Sequence, residues 1–321
     1  MQTTKTTGEL PGSLDTLDDA QLKRKVLAAT IMTNSLNYLT SELVEQHFQW
    51  LLPVIFSKIT DPLWPDPGAS IEKRIEVEIY GETVRTTASM IIHKLVSCSL
   101  AFPRLFVLSP NVRIEKRERQ ATGWHSYEFS QLDFEVRNAK SKDVQKLVEG
   151  WIVGLVKTLR RKSGAELKEL DSYSKIKVPA APFKVYDSEK LKSKYGDNWE
   201  SKLTSELKEP AWVTNIPREF YDFEDFGEGR WDNYDLFVPG YGEILSGAKR
   251  EWEYEKISKK IERDGVNRAN YAFLLKLAKE KRLKPSAGGG IGVERLVAWL
   301  SGASHIGEVS PFPRVPGQVD L

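Results

Sequence analysis

The stretch "SAGGGIGVERLVAWLSG", residues 286–302, places three consecutive glycines and then Gly292 in front of an apolar segment. The apolar residues recur at helical spacing, as Val293, Leu296, Val297 and Leu300. A linker would continue into polar residues, whereas this segment has one apolar face and ends at Gly302. The pattern predicts a strand or loop that runs directly into a buried helix, with Glu294–Arg295 in its first turn.

These glycines do not match the common phosphate-binding loops. A Walker loop requires a Lys-Ser or Lys-Thr after its glycines, and none follows them here. The GxGxxG glycine spacing of a dinucleotide-binding fold is also absent from this stretch of the sequence. Glycine still permits close backbone approach, and an arginine at the start of a helix can bind phosphate or stack on a base. The stretch therefore remains compatible with a nucleotide site of another class.

The composition indicates a globular intracellular protein. The 321 residues are 40% hydrophobic, which is enough to fill a large core, and the formal net charge is only +2. No apolar run reaches the roughly 20 residues that span a bilayer, and the N-terminus lacks the hydrophobic segment of a signal peptide. We expect a cytoplasmic protein with no membrane partner and without the positive excess of a chain dominated by nucleic-acid contacts.

Cysteine and histidine chemistry is scarce in this sequence. Cys98, the single cysteine, lies in an apolar helix-like stretch, so we expect an inert core thiol rather than a nucleophile. The four histidines show no HExxH spacing, which argues against a zinc hydrolase.

The pattern along the chain predicts one mixed α+β domain built on an antiparallel sheet. Residues 1 to about 19 form a polar arm, and helical periodicity follows. Alternating residues predict a hairpin over 74–85 and two strands joined by a long polar loop between 104 and 138. Residues 171–231 show no strong period, so we expect irregular structure with short helices there.

Two segments together resemble the class II aminoacyl-tRNA synthetases. "GIGVER" is similar to their motif 3, and "VRIEKRERQATGWHSYEFSQLDFEV", residues 112–136, is similar to motif 2. The resemblance implies an antiparallel sheet flanked by helices, in which Arg113 grips the α-phosphate of ATP, Phe129 lies under adenine and Arg295 stacks on its other face. Glu115 and His125 complete the implied ATP site.

Further segments resemble the aspartyl and asparaginyl branch. "FQWLLPVIFSKITDP" is similar to motif 1, with Asp61 where the branch carries a glutamate beside the substrate amino group. "GEILSGAKRE" is similar to a strand that offers Glu243 and Ser246 to Mg²⁺, with Asp235 as a further metal ligand, and Arg250 to a substrate carboxylate. The terminal "PFPRVPG" also matches, although Gly307 replaces an arginine of the family, which weakens a phosphate role there.

The pocket for the amino-acid side chain follows from the same resemblance. Aligning residues 79–96 without gaps places Lys94 against the second carboxylate of the substrate, with Asp133 beside it. A slip of one residue would place His93 there instead. The other interpretation of Lys94 is an exposed helix lysine without a site role. Ser89 belongs to the same implied substrate site. Lys94, Arg250 and Asp133 together would carry net positive charge, which suits a carboxylate better than an amide.

The resemblance covers residues 45–321 as a catalytic domain, preceded by an arm and helix over 1–44. The branch carries an anticodon-binding barrel of about 100 residues, the size of a small domain, which these 44 residues do not match. A stand-alone core of this kind resembles the archaeal asparagine synthetases related to asparaginyl-tRNA synthetase. The resemblance implies an ammonia-dependent, AMP-forming asparagine synthetase that uses aspartate, ATP and Mg²⁺, and we expect it to be a homodimer. The alternatives are a truncated aspartyl- or asparaginyl-tRNA synthetase, which would bind tRNA, and a regulatory or RNA-binding paralogue.

Overall fold

The structure, a computed structural model, describes residues 12–63 and 71–319. Its strands in these ranges are β1 Gln49–Trp50, β2 Phe56–Ser57, β3 Ile71–Lys73, β4 Glu76–Ile79, β5 Glu82–Thr86, β6 Arg104–Val112, β7 Ile114–Glu115, β8 Glu128–Arg137, β9 Lys184–Asp187, β10 Ala211–Thr214, β11 Glu224–Asp225, β12 Arg230–Trp231, β13 Asn233–Val238, β14 Gly242–Lys249 and β15 Ser286–Gly292. Eight of them form the main sheet, in the order β1-β6-β8-β15-β14-β13-β10-β9. All neighbours are antiparallel except β1–β6 and β9–β10.

Helices cover both faces of this sheet. Their bounds are α1 Asp19–Glu45, α2 Ile91–Leu100, α3 Ser141–Lys162, α4 Gly164–Glu169, α5 Ser188–Tyr195, α6 Trp199–Glu206, α7 Tyr254–Arg263, α8 Ala272–Lys279 and α9 Val293–Ser301. Helix α1 begins with a capping box, in which the Asp18 side chain accepts from the Gln21 amide and the Gln21 side chain accepts from the Asp18 amide. The α+β prediction is confirmed, although the first 11 residues of the predicted arm lie outside the described ranges.

The large core lies on one face of the sheet, so the other face is left for polar side chains. Leu132, Phe134 and Val136 of β8 point into the core formed with α1, α3 and α9. Because strand residues alternate between faces, Asp133 and Glu135 point to the opposite face. A second core on that side joins α2, α7 and α8 with Phe220 and Tyr221. The polar face of β8 therefore lies under these helices.

The prediction of irregular structure over 171–231 is wrong in part, since β9 and β10 extend the main sheet. Each has four residues, too few to show a period of two, and in β10 Ala211, Trp212 and Val213 are all buried. The predicted hairpin is present as β4 and β5, and the predicted long pair as β6 and β8.

Two further expectations concern the chemistry of the chain. Cys98 is buried, and burial raises the pKa of its thiol to about 12, as expected for an inert core residue. Among residues 12–63 and 71–319, none of the helices combines the length and the apolar character needed to cross a bilayer.

Candidate active site

The glycines of β15 leave room for two buried carboxylates. Gly290 lies opposite Asp133 of β8, and Gly288 lies opposite Glu135. A Cβ atom on Gly290 would lie 2.8 Å from Asp133 Oδ1, and one on Gly288 would lie closer still to a Glu135 oxygen and to the β8 backbone. The side-chain-free surface of β15 therefore keeps a polar site open on the sheet.

Lys94 of α2 enters this site as a buried cation. Its Nζ donates to Asp133 Oδ1 and to the Gly289 carbonyl, at 2.8 Å in each case, and lies 3.9 Å from Glu135 Oε2. The contact with Asp133 agrees with the alignment without gaps. His93, the neighbouring alternative, instead places its Nε2 3.0 Å from the Ser57 hydroxyl.

Arg250 follows β14 and reaches the same group of carboxylates. Its Nε lies 3.3 Å from Glu135 Oε1, its Nη1 donates to Asp222, and its Nη2 donates to the Gly288 carbonyl at 3.3 Å. Lys94 and Arg250 are each only 3% exposed, so both cations are removed from water.

The expected net positive charge of this pocket is wrong. Sequence reasoning counted Lys94 and Arg250 against Asp133 alone, whereas Glu135 and Asp222 also contact the two cations. Two cations against three carboxylates give a formal charge of −1. Glu135 could have been found, because it follows Asp133 at strand spacing, but Asp222 comes from an irregular segment that gives no such signal.

The motif 2 segment forms a second, cationic part of the site. The Arg113 guanidinium lies 5.2 Å from the centre of the Phe129 ring, and its Nε donates to the Ala88 carbonyl at 3.0 Å. Arg119, which sequence reasoning did not single out, lies 3.4 Å from Glu115 Oε2. Burial raises the pKa of Glu115, while the nearby arginines oppose this effect.

His125 is held in its neutral form by burial and by the cations around it. Burial, Arg295, Arg119 and Arg113 lower the pKa of His125 to about 3. Since Arg119 can only donate, His125 Nε2 accepts its hydrogen bond at 2.6 Å, and Nδ1 then donates to the Thr122 hydroxyl at the same distance. Both ring nitrogens are therefore used within the motif 2 loop.

The pair Glu294–Arg295 connects α9 to the motif 2 strand. Both carboxylate oxygens of Glu294 accept from the Ser130 amide, at 2.9 and 3.1 Å, next to Phe129. Burial raises the pKa of Glu294 to about 7. Arg295 donates to the Glu243 carbonyl at 3.1 Å and lies 3.8 Å from the Glu243 carboxylate. Glu294 therefore positions the helix end from which Arg295 projects.

The residues expected to bind Mg²⁺ lie together, although not as a complete set of ligands. Asp235 and Ser246 are opposite each other on β13 and β14. Burial, together with Glu243 and Glu200, raises the pKa of Asp235 to about 7 against the effect of Arg218, and its buried Oδ1 has no hydrogen-bond partner within the described residues. No group of three His, Cys, Asp or Glu side chains arranged for a metal ion occurs in the same ranges. Mg²⁺ in nucleotide sites commonly binds one or two carboxylates and the substrate phosphates. The carboxylates of Asp235 and Glu243 fit such an ion.

Asp61 and Ser89 lie at the border of the pocket. Asp61 is buried, and its Oδ1 accepts from the Leu63 amide at 2.9 Å and from the Tyr221 hydroxyl at 3.1 Å. The Ser89 hydroxyl accepts from the Ile91 amide at 3.0 Å, next to the start of α2.

The comparisons with known proteins define the class to which this chain belongs. Residues 71–316 match the family model of the tRNA synthetases class II (D, K and N), so the chain belongs to that family, whose members are ATP-dependent ligases that adenylate an amino acid. An asparagine–tRNA ligase of Thermoplasma acidophilum is 27% identical over 258 residues, which cover 74% of this chain and 59% of that protein. The chain thus spans less than two thirds of that relative.

Solved structures share the fold at low sequence identity. The asparaginyl-tRNA synthetase of Pyrococcus horikoshii, complexed with asparaginyl-adenylate, has a TM-score of 0.82 at 23% identity, over 92% of this chain and 70% of that chain. The corresponding Entamoeba histolytica complex gives 0.80 at 21% identity, over 92% and 69%. The aspartyl-tRNA synthetase of the same organism gives 0.72 at 20%, over 92% and 60%. The predicted class II synthetase fold is confirmed.

Proposed function

We propose that this protein is an ammonia-dependent, AMP-forming asparagine synthetase of the cytoplasm. Aspartate attacks the α-phosphate of ATP and releases pyrophosphate, and ammonia then displaces AMP from the aspartyl-adenylate. The observation that supports this function best is the convergence of two buried cations, Lys94 and Arg250, on the Glu135 carboxylate beside an arginine-rich nucleotide pocket.

Charge neutralisation at phosphorus is the main catalytic requirement. Within the described residues Arg113 uses only its Nε in a hydrogen bond, so its terminal nitrogens remain for the α-phosphate. Arg119 and Arg295 add positive charge on either side, and Arg295 stacks on the adenine that Phe129 supports. Glu243, Ser246 and Asp235 would hold Mg²⁺, which supplies further charge neutralisation when bound.

Aspartate can enter this site in either of two orientations, because its two carboxylates are alike. For asparagine synthesis the β-carboxylate must lie at phosphorus, with the α-carboxylate on Lys94 and Arg250. Asp133, Asp61 and the Ser89 region then surround the substrate ammonium group. The bound carboxylate competes with Glu135 and Asp222 for Lys94 and Arg250. This competition limits binding to ligands that satisfy both of these cations.

Free ammonia is the proposed nitrogen donor rather than glutamine. Release of ammonia from glutamine normally requires a nucleophilic thiol. Cys98, the single cysteine of this sequence, is buried with a raised pKa. Its environment favours the unreactive thiol form.

A second candidate is an aspartyl- or asparaginyl-tRNA synthetase activity, with tRNA as the acceptor. The sequence relative and the structural neighbours that bear these names support it. In that case the amino acid would present its α-carboxylate to ATP, and its side chain would lie against Lys94 and Arg250.

We also propose that the protein acts as a homodimer. The last turn of α1 and the segment that follows it expose several large apolar side chains: Val44 is 52% exposed, Trp50 53%, Leu52 86%, Ile55 52% and Phe56 44%. Exposed apolar side chains are commonly covered at a two-fold interface.

The amino acid that the enzyme activates tests the proposed function. ATP–pyrophosphate exchange should require aspartate and Mg²⁺ but no tRNA, and addition of ammonium should yield asparagine and AMP in equal amounts. Exchange that requires asparagine, or that yields no asparagine with ammonium, would contradict the proposal.

A further inference from the structure

A further buried cation, Lys25 of α1, contacts the C-terminal part of the chain. Lys25 is 6% exposed, and it lies outside residues 71–316, which match the family model. Its Nζ donates to the Gly307 carbonyl at 2.8 Å and to the Ser310 carbonyl at 2.5 Å. Both carbonyls belong to the C-terminal segment, defined here as residues 305–318, which begins with a short 3-10 turn. Lys25 therefore joins α1 to this segment.

The burial of Lys25 has a cost that its two hydrogen bonds offset. Burial lowers the pKa of Lys25 to about 8, with Glu308 opposing this effect. At pH 7 the side chain remains mainly charged, and a buried ammonium group is tolerated where hydrogen bonds replace those of water. A lysine that only kept α1 in water would be exposed, as Lys23 is. Lys25 and the two carbonyls therefore hold one another in place.

The C-terminal segment pairs with the motif 2 loop, residues 116–127, at two points. The amide of Ile306 donates to the Gly123 carbonyl at 2.8 Å. The amide of Tyr127 donates to the Arg314 carbonyl, also at 2.8 Å. The Ile306 amide lies next to the residue whose carbonyl Lys25 binds, so the contact made by Lys25 and the contact with the loop share one turn of the chain.

The motif 2 loop carries two candidate groups of the ATP site, Arg119 and His125. Arg119 lies 3.4 Å from Glu115 Oε2, and its Nη1 donates to His125 Nε2 at 2.6 Å. The 3-10 helix of this loop, Arg117–Thr122, contains no buried residue. Segments with few buried contacts open easily, so the position of this loop depends on the segment that it pairs with.

We propose that Lys25 is a positioning residue of the ATP site. Lys25 fixes the turn at Gly307, the C-terminal segment holds the motif 2 loop, and the loop presents Arg119 and His125 to the nucleotide. This inference rests on the proposed ATP site, and it is the same for ammonia and for tRNA as the acceptor.

The proposed role concerns ATP more than aspartate. The cations proposed for aspartate, Lys94 and Arg250, are bonded to β8, β15 and Asp222 instead of the motif 2 loop. Displacement of the loop should therefore weaken ATP binding and leave the aspartate pocket in place.

The KM values for ATP and for aspartate in ATP–pyrophosphate exchange test this role. Lys25→Met keeps a long apolar side chain but removes the ammonium group. We expect it to raise the KM for ATP by about 10-fold or more, because even small misplacement of ligand-binding groups is costly. The KM for aspartate should stay at the wild-type value. Lys23→Met, exposed on the same helix, is the matched control and should change neither KM.

Hydrogen exchange measures the link between Lys25 and the loop. Lys25→Met should speed the exchange of the Ile306 and Tyr127 amides, since the hydrogen bonds that protect them join the C-terminal segment to the loop. Amides in the middle of β8 should exchange as in the wild type. Lys23→Met should leave all of these amides unchanged.

Three results would overturn the inference. The first is a wild-type KM for ATP in folded Lys25→Met. The second is an equal rise in both KM values, which would indicate a general structural role. The third is a higher KM for ATP without faster exchange at Ile306 and Tyr127. If wild-type exchange requires asparagine, the proposed function fails, and the same ATP titration with asparagine decides the inference.

A measurement on the wild-type protein covers the case in which Lys25→Met does not fold. If α1, the C-terminal segment and the motif 2 loop are held as one unit, saturating ATP should slow amide exchange in residues 305–310 and in the first turns of α1 as well as in the loop. Protection confined to the loop would overturn the inference.

Discussion

At the scale of single residues, the arginines of the site differ in how far their donors are used. Within the described residues the terminal nitrogens of Arg113 make no hydrogen bond, whereas Arg250 is bonded to Glu135 and Asp222. We expect Arg113→Ala to raise the barrier to adenylate formation by about 3 kcal/mol, roughly 10²-fold in rate, because a charge-assisted phosphate contact is lost in the transition state. ATP–pyrophosphate exchange measures this effect. Arg117→Ala, exposed in the same loop, is the control, and equal rates in both variants would remove Arg113 from the ATP site.

Lys94 is expected to affect both substrate binding and stability. Lys94→Ala should raise the KM for aspartate, because the pocket loses one of its two cations. It should also lower the free energy of unfolding by about 3 kcal/mol, since Asp133 is left as an unpaired buried charge. Denaturant unfolding and aspartate titration separate the two effects. Adding Asp133→Ala should restore part of the stability but not the affinity, and recovery of both would show that Lys94 serves folding alone.

At the scale of elements, we expect the glycines of β15 to differ in whether they tolerate an added side chain. Gly290→Ala should displace the Asp133 carboxylate and lower aspartate-dependent exchange by about 10-fold or more, because even small misplacement of substrate-binding groups is costly. On Gly292 the nearest atom to an added Cβ is 3.8 Å away, so Gly292→Ala is the control. Similar activity in the two variants would contradict the role assigned to the glycines.

The elements differ in how well sequence alone predicts them. The long strands β6 and β8 and the step from β15 into α9 follow from alternation and helical spacing. Lys94 and Asp133 could be paired through the family resemblance. Asp222 lies in the irregular stretch between β10 and β11, where no period links a residue to its partners. Its place in the site depends on a long-range contact with Arg250 that only the folded chain defines.

At the scale of the whole molecule, we expect two copies of the chain to associate as a homodimer. Light scattering at micromolar concentration should give twice the monomer mass, and Leu52→Asp should reduce it to that of a monomer because a charge would be buried in the interface. Val185, 55% exposed on β9 away from this segment, provides the control Val185→Asp. A monomeric wild-type protein would remove the support for the dimer.

The identity of the acceptor tests the central claim most directly. Purified protein, freed of RNA, is incubated with ATP, Mg²⁺, aspartate and ¹⁵N-labelled ammonium, and the product is followed by NMR. We predict one ¹⁵N side-chain amide of asparagine for each AMP formed, with no requirement for tRNA. Absence of the labelled amide, together with transfer of radiolabelled aspartate or asparagine to added tRNA, would contradict the account and identify the protein as a tRNA synthetase.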